Sequence, residues 1–143
     1  MICIDTNILI YAHRKGTAEH AAAQAAIERA AMIERGWGFS LPSVCEFWAQ
    51  VTHPRYPGEP SSPAQAAGFL DSLMRTGRAR VFLPGSDFTS RLLETTRELK
   101  VVGPRVFDVQ IGLMALSAGA TRLWTHDRSF TPLAGLKIED PLS

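Results

Sequence analysis

Only two cysteines occur in this 143-residue chain, Cys3 and Cys45, and they form no Cys-x-x-Cys pair. That scarcity argues against a disulfide framework and against a structural zinc site, which need sulfur ligands in sets at characteristic spacings. Both thiols are expected to be buried and reduced. Long apolar runs are also missing: the Ala-rich stretch from Ala21 to Met32 is broken by Gln24, Glu28 and Arg29, so it reads as a soluble helix rather than a membrane span. The opening residues lack a basic flank, and Asp5 interrupts their apolar run, so an export signal is not expected and the chain is assigned to the cytoplasm. A charge of one sign is lacking as well. Fifteen basic and fourteen acidic residues nearly cancel, so any polyanion must be held by a local device instead of a global field. Finally, no Gly-x-Gly-x-x-Gly follows the first apolar run, which excludes the dinucleotide-binding fingerprint.

What is present is enough for one compact core. With 45% hydrophobic residues, a chain of this size is expected to form one domain over residues 1–143 and to bury about 68% of its unfolded surface. Met1 to Ile4 is short, continuous and apolar, as in a central parallel strand covered on both faces. Asn7 is expected to cap a short helix through Tyr11, and Thr17 a longer one running toward Arg35 and stopped by Gly36. Trp37 to Leu41 reads as a second strand ended by Pro42, and Ser43 with Glu46 as the capping box of the next helix. The proline-rich stretch from Pro54 to Pro63 reads as a loop, after which Ser62 and Gln65 open a helix ending near Gly77. Arg80 to Leu83 is a third strand, Asp87 to Leu99 a helix, and a further helix carries Ile111, Met114, Ala115 and Ala118 on one face before Gly119. Thr121 to Thr125 and Leu136 to Ile138 complete four or five strands. Strands alternating with helices predict an α/β fold with a mainly parallel sheet, in which ligands bind beyond the carboxyl ends of the strands.

Four acids fall at that edge. Asp5 follows the first strand and Asp127 the fourth, while Glu46 and Asp108 stand in the first turns of helices. Singly, each has an ordinary explanation as a helix or turn cap. Asp5 is the hardest to explain so, because a carboxylate among core residues costs several kcal/mol unless it is paired or neutralised. Brought together, close carboxylates repel by about 4 kcal/mol per pair at ~4 Å and an effective dielectric near 20, so a cation or protons must accompany them. Hard oxygen donors of this kind select Mg²⁺ or Mn²⁺, which share their remaining positions with water and substrate phosphates. Arg14, Lys15, Arg55, Arg105 and Arg128 lie close in sequence to the acidic segments and are candidates for holding flanking phosphates.

These stretches resemble the PIN-domain ribonucleases, and among them the VapC-type toxins of bacterial toxin–antitoxin pairs. MICIDTNILIYA is similar to the family's opening strand and Asp-Thr-Asn segment, SVCEFWAQVTHP to its glutamate helix, and GPRVFDVQIGLMALSAGATRLWTHDRSF to its carboxyl half. By position, Asp5, Glu46, Asp108 and Asp127 match the acidic quartet, with Asp5, Asp108 and Asp127 as metal ligands, and Thr6, Asn7 and Thr125 match the polar positions that orient it. Ser129 stands where many relatives have a further acid. The resemblance implies a PIN-like α/β/α sandwich and a Mg²⁺-dependent endoribonuclease, with Mn²⁺ as a possible substitute, in which an activated water attacks phosphorus in line and leaves a 5′-phosphate. It also implies a homodimer inhibited by a VapB-like antitoxin. Two alternatives stay open: a non-catalytic PIN-like module for RNA or protein binding, and an aspartate-nucleophile phosphatase. The second ranks lower because no acid follows two residues after Asp5.

Overall fold

The computed structural model describes residues 1–56 and 58–143. Five short parallel strands, β1 (Ile2–Ile4), β2 (Trp37–Ser40), β3 (Arg80–Phe82), β4 (Arg122–Trp124) and β5 (Lys137–Glu139), form one sheet in the order β3-β2-β1-β4-β5. The helices are α1 (Thr6–His13), α2 (His20–Ala31), α3 (Leu41–Val51), α4 (Pro63–Arg75), α5 (Phe88–Glu98) and α6 (Val106–Ser117), with a 3₁₀ turn at Gly103–Arg105. The expected parallel α/β architecture is therefore present, and the fifth strand with it. None of the helices is long and apolar enough to cross a membrane, among the described residues.

Side-chain alternation on β1 splits the core into two layers. Ile2 and Ile4 join Ile8, Leu9, Trp37, Phe39, Phe47 and Leu70 beneath α1 to α4. Cys3 points the other way, into a second cluster with Phe82, Val109, Met114 and Leu123 beneath α5 and α6. Both faces of the sheet are thus covered, which is why β1 is apolar at every position. Gly38 is required where β2 meets β3: a Cβ there would stand 2.2 Å from the Arg80 carbonyl oxygen and 2.9 Å from the Phe82 ring.

Several local expectations are corrected. Asp5, not Asn7, caps α1, its side chain accepting from the Thr6 N–H. Asn7 is drawn instead to the end of β4. Thr17 does not cap α2: its hydroxyl donates to the Arg14 carbonyl, the helix begins at His20, and it ends at Ala31 rather than Arg35. Leu41 is the first residue of α3, with Pro42 inside the first turn, because the buried Ser40 supplies the cap through the Ser43 N–H. Ser43 and Glu46 therefore form no capping box, and Glu46 is released for another partner. By contrast, Ser62 and Gln65 form the box expected of them. Cys45 is exposed, whereas Cys3 is buried as expected. The loop expected over Pro54 to Pro63 gives way to α4 at Pro63 itself, and position 57 within it lies outside the described residues.

Candidate active site

The strand order reverses direction at β1: the chain moves to β2 on one side, and β4 pairs on the other. The carboxyl ends of β1 and β4 therefore diverge around a crevice, the place where ligands bind in open parallel sheets. Asp5 and Thr125 are the residues that follow those two ends.

Asp5 is 8% exposed and doubly held. Its Oδ1 accepts from the Thr6 N–H at 2.8 Å, and its Oδ2 accepts from the Thr125 hydroxyl at 2.8 Å. Thr125 Oγ1 in turn accepts from Asn7 Nδ2 at 3.2 Å and from the Asp127 N–H at 3.1 Å, while Asn7 Oδ1 accepts from the His126 N–H. The Thr6 hydroxyl donates to Glu46 Oε2 at 2.7 Å and lies 2.9 Å from Ser43 Oγ. Thus α1 and α3, whose amino ends both face the crevice, present Asp5 and Glu46 from adjacent turns. Asp108, in the first turn of α6, comes from the other layer; its Oδ2 accepts from both the N–H and the hydroxyl of Thr131, at 3.0 and 3.2 Å.

Asp5, Glu46 and Asp108 line one cavity of about 190 Å³, together with Thr6, Asn7 and Gln50 and the apolar walls of Ile10, Phe107 and Ile111. Burial raises the Asp5 carboxyl to about 6; the hydrogen bonds from Thr125 and Thr6 oppose that rise, and the charges of Glu46 and Asp108 add to it. No lysine or arginine forms an ion pair with any of the three, among the described residues. The donors are hard carboxylate oxygens held by neutral groups, and the negative charge they crowd together is uncompensated. That chemistry fits a divalent cation of the Mg²⁺ type, which takes few protein carboxylates and keeps water in its other positions. A closed cage is not formed: among the described residues, no three Asp, Glu, His or Cys side chains converge as a ready-made metal cluster.

Asp127 stands apart. It is exposed, it does not line the cavity, and its Oδ1 accepts from both the N–H and the hydroxyl of Ser129 at 2.9 and 2.7 Å. Its backbone N–H, not its carboxylate, reaches the Asp5 network. The reason is local: serine two residues on offers two donors to the carboxylate and closes an Asx-type turn. Of the basic residues, Arg14 and Lys15 line a separate cavity, whereas Arg55, Arg105 and Arg128 are exposed and line neither. Thr131, Ser43 and Gln50 were not legible as site residues. Thr131 lies 23 residues from Asp108 in sequence, and nothing in its surroundings marks it.

Comparison with known proteins identifies the family and the fold. A model of the PIN domain family matches residues 2–136. VapC ribonuclease Mb2897 of Mycobacterium bovis is 30% identical over 142 residues, covering 99% of this chain and 96% of that protein. In structure, the chain resembles Mycobacterium tuberculosis VapC20, a sarcin–ricin loop cleaving toxin, with a TM-score of 0.67 at 17% identity over 91% of this chain and 92% of that one. It also resembles VapBC2 from Rickettsia felis, solved bound to a DNA fragment from its promoter, with a TM-score of 0.68 at 19% identity over 98% of each chain. On the match that runs through β1, the glutamate helix and β4, this chain belongs to the PIN domain family.

Proposed function

We propose that the chain is the toxin of a VapBC-type pair, a metal-dependent endoribonuclease that uses Mg²⁺, or Mn²⁺ in its place, to hydrolyse RNA phosphodiesters. The observation that carries the proposal is the shared cavity of Asp5, Glu46 and Asp108 at the sheet's switch point, with no basic side chain paired to them among the described residues. Asp5 and Asp108 would hold the metal, with Glu46 as a third donor. When bound, such a cation supplies positive charge at the scissile phosphate and lowers the pKa of an attacking water. The chain's own residues do the positioning. Thr6 fixes both Asp5 and Glu46, through its N–H and its hydroxyl. Thr125 fixes the second Asp5 oxygen, and Thr131 occupies one Asp108 oxygen and leaves the other free for the cavity. Ile10 and Ile111 wall the cavity on its buried side. In this arrangement Asp127 contributes its N–H to Thr125 instead of a ligand oxygen, a smaller role than the sequence suggests.

The partners follow the same reading: RNA as substrate and a VapB-like antitoxin as inhibitor, supported by the likeness to VapC and VapBC proteins, with a homodimer proposed as the working form. The test is cleavage of total RNA by the purified chain in millimolar Mg²⁺. Asp5→Asn and Asp108→Asn should each lower the rate by more than about 100-fold, exceeding the roughly 10- to 100-fold loss typical of outer-shell partners. Undiminished cleavage by folded variants would show that the three acids are not the reaction centre.

A further inference from the structure

A second cavity, larger than the acidic one, lies elsewhere on the described residues. A space of about 940 Å³ opens where α1, α2 and the start of α4 meet, and Arg14, Lys15, His20, Gln24, Gln65 and Phe69 line it. Arg14 is its centre. The guanidinium lies 3.7 Å over the Tyr56 ring and donates to the carbonyls of Glu59 and Val51, yet no carboxylate stands within ion-pair distance of it among the described residues. Its Nε is buried without an acceptor among the described residues. Glu59 also borders the space, but it is the carbonyl of that residue, not the carboxylate, that meets Arg14. Behind Arg14, His13 is wedged against the Phe47 and Phe69 rings, with its Nε2 at 2.8 Å from Ser61 Oγ. Burial first, and then the charges of Arg14 and His20, lower the His13 pKa.

The two cavities share no lining residue but lie at opposite ends of α1. Asn7 and Ile10 line the acidic cavity, and Arg14 follows on the same helix, its N–H on the Ile10 carbonyl. On α3, Gln50 lines the acidic cavity and the next residue, Val51, gives its carbonyl to Arg14. From Asn7 to Arg14 the helix rises about 10 Å, a short step for a nucleic-acid strand.

We infer that this cavity is a substrate subsite: it takes a phosphate and base of single-stranded RNA flanking the scissile bond, an inference that rests on the ribonuclease reading. A positively charged groove tracks a phosphate backbone, and the amide side chains of Gln24 and Gln65 offer hydrogen bonds to the edge of an unstacked base. Gln65 suits the second task, because its Oε1 is engaged by the Ser62 N–H and its amide N–H₂ remains to donate.

The test separates binding from cleavage. Kd for a fluorescein-labelled 20-nucleotide single-stranded RNA is measured by anisotropy on the full chain in EDTA, over a series of salt concentrations. The double variant Lys15→Glu/Gln24→Glu, at two exposed positions, should raise Kd about tenfold and flatten the logarithmic salt dependence by roughly 0.7 in slope for each phosphate no longer neutralised. Gln24→Lys, which adds a charge of the opposite sign at the same wall, should lower Kd. A Kd and slope indifferent to both changes, or no measurable binding by the parent chain, overturns the subsite. The ribonuclease reading is decided separately, by the cleavage assays on Asp5→Asn and Asp108→Asn.

Discussion

Asp5 joins the local rules to the chemistry. As the cap of α1 it satisfies an amide, and as a buried acid facing Glu46 and Asp108 it carries a raised pKa of about 6 against the ordinary 3.8. An acid whose pKa is higher folded than unfolded binds more protons in the native state, so its contribution to stability is whole below about pH 4 and is lost as pH rises through 6. A rise of that size corresponds to about 3 kcal/mol. Metal-free protein should therefore lose stability over that interval, and Asp5→Asn, which keeps a good capping side chain, should remove this component and be the more stable of the two at pH 7. Urea denaturation in EDTA at pH 4.5 and 7 measures it; equal pH dependence in the two proteins would contradict the account. The acid was legible in the sequence because it breaks an apolar run. Thr131, which engages one Asp108 oxygen twice, was not, because a threonine in a loop carries no periodic signal and only the tertiary fold brings it there.

At the scale of elements, helix starts were read correctly where the cap and its partner lie within one exposed turn, as in Ser62 and Gln65. The sequence misplaces them where a strand runs straight into a helix, as at α1 and α3, and at α2, where Thr17 bonds the Arg14 carbonyl and no side chain caps the helix. Ser40 ends β2 and caps α3 in one residue, so the boundary falls three residues earlier than a cap at Ser43 would place it, and Glu46 faces the cavity instead of the helix end. Cys45, one position before Glu46, is correspondingly turned to solvent. The strand β2 also depends on Gly38, whose absent side chain lets the β3 backbone approach. Because the obstructing atom is a backbone carbonyl of the neighbouring strand, little can move aside. Gly38→Ala should cost at least the upper part of the about 1–3 kcal/mol typical of overpacking, seen as a lower urea midpoint. A midpoint within error of the parent would mean that the two strands can separate without penalty.

Across the whole molecule, the alternation of strands and helices was enough to predict a parallel sheet, but not its order. The order β3-β2-β1-β4-β5 matters most for function, since the switch point at β1 brings acids 41 and 103 residues away along the chain to face Asp5. Residues from both sides of the sheet meet there: Asp5 and Glu46 from one side, Asp108 from the other. A cation held between them would tie the two layers together, and a ligand that binds only the folded state stabilises it by about 2.7 kcal/mol at 100 times its Kd. For a chain of this size each kcal/mol is worth about 2–4 °C. Saturating Mg²⁺ or Mn²⁺ should accordingly raise the melting temperature of the parent by roughly 5–10 °C at pH 7, and the double variant Asp5→Asn/Asp108→Asn by almost nothing. Sodium chloride at matched ionic strength controls for screening, and calorimetry gives the stoichiometry. Were the parent's transition to stay in place at tens of millimolar of either metal, the carboxylates would have to be neutralised by protons instead, and the ribonuclease would need another source of charge at the phosphate.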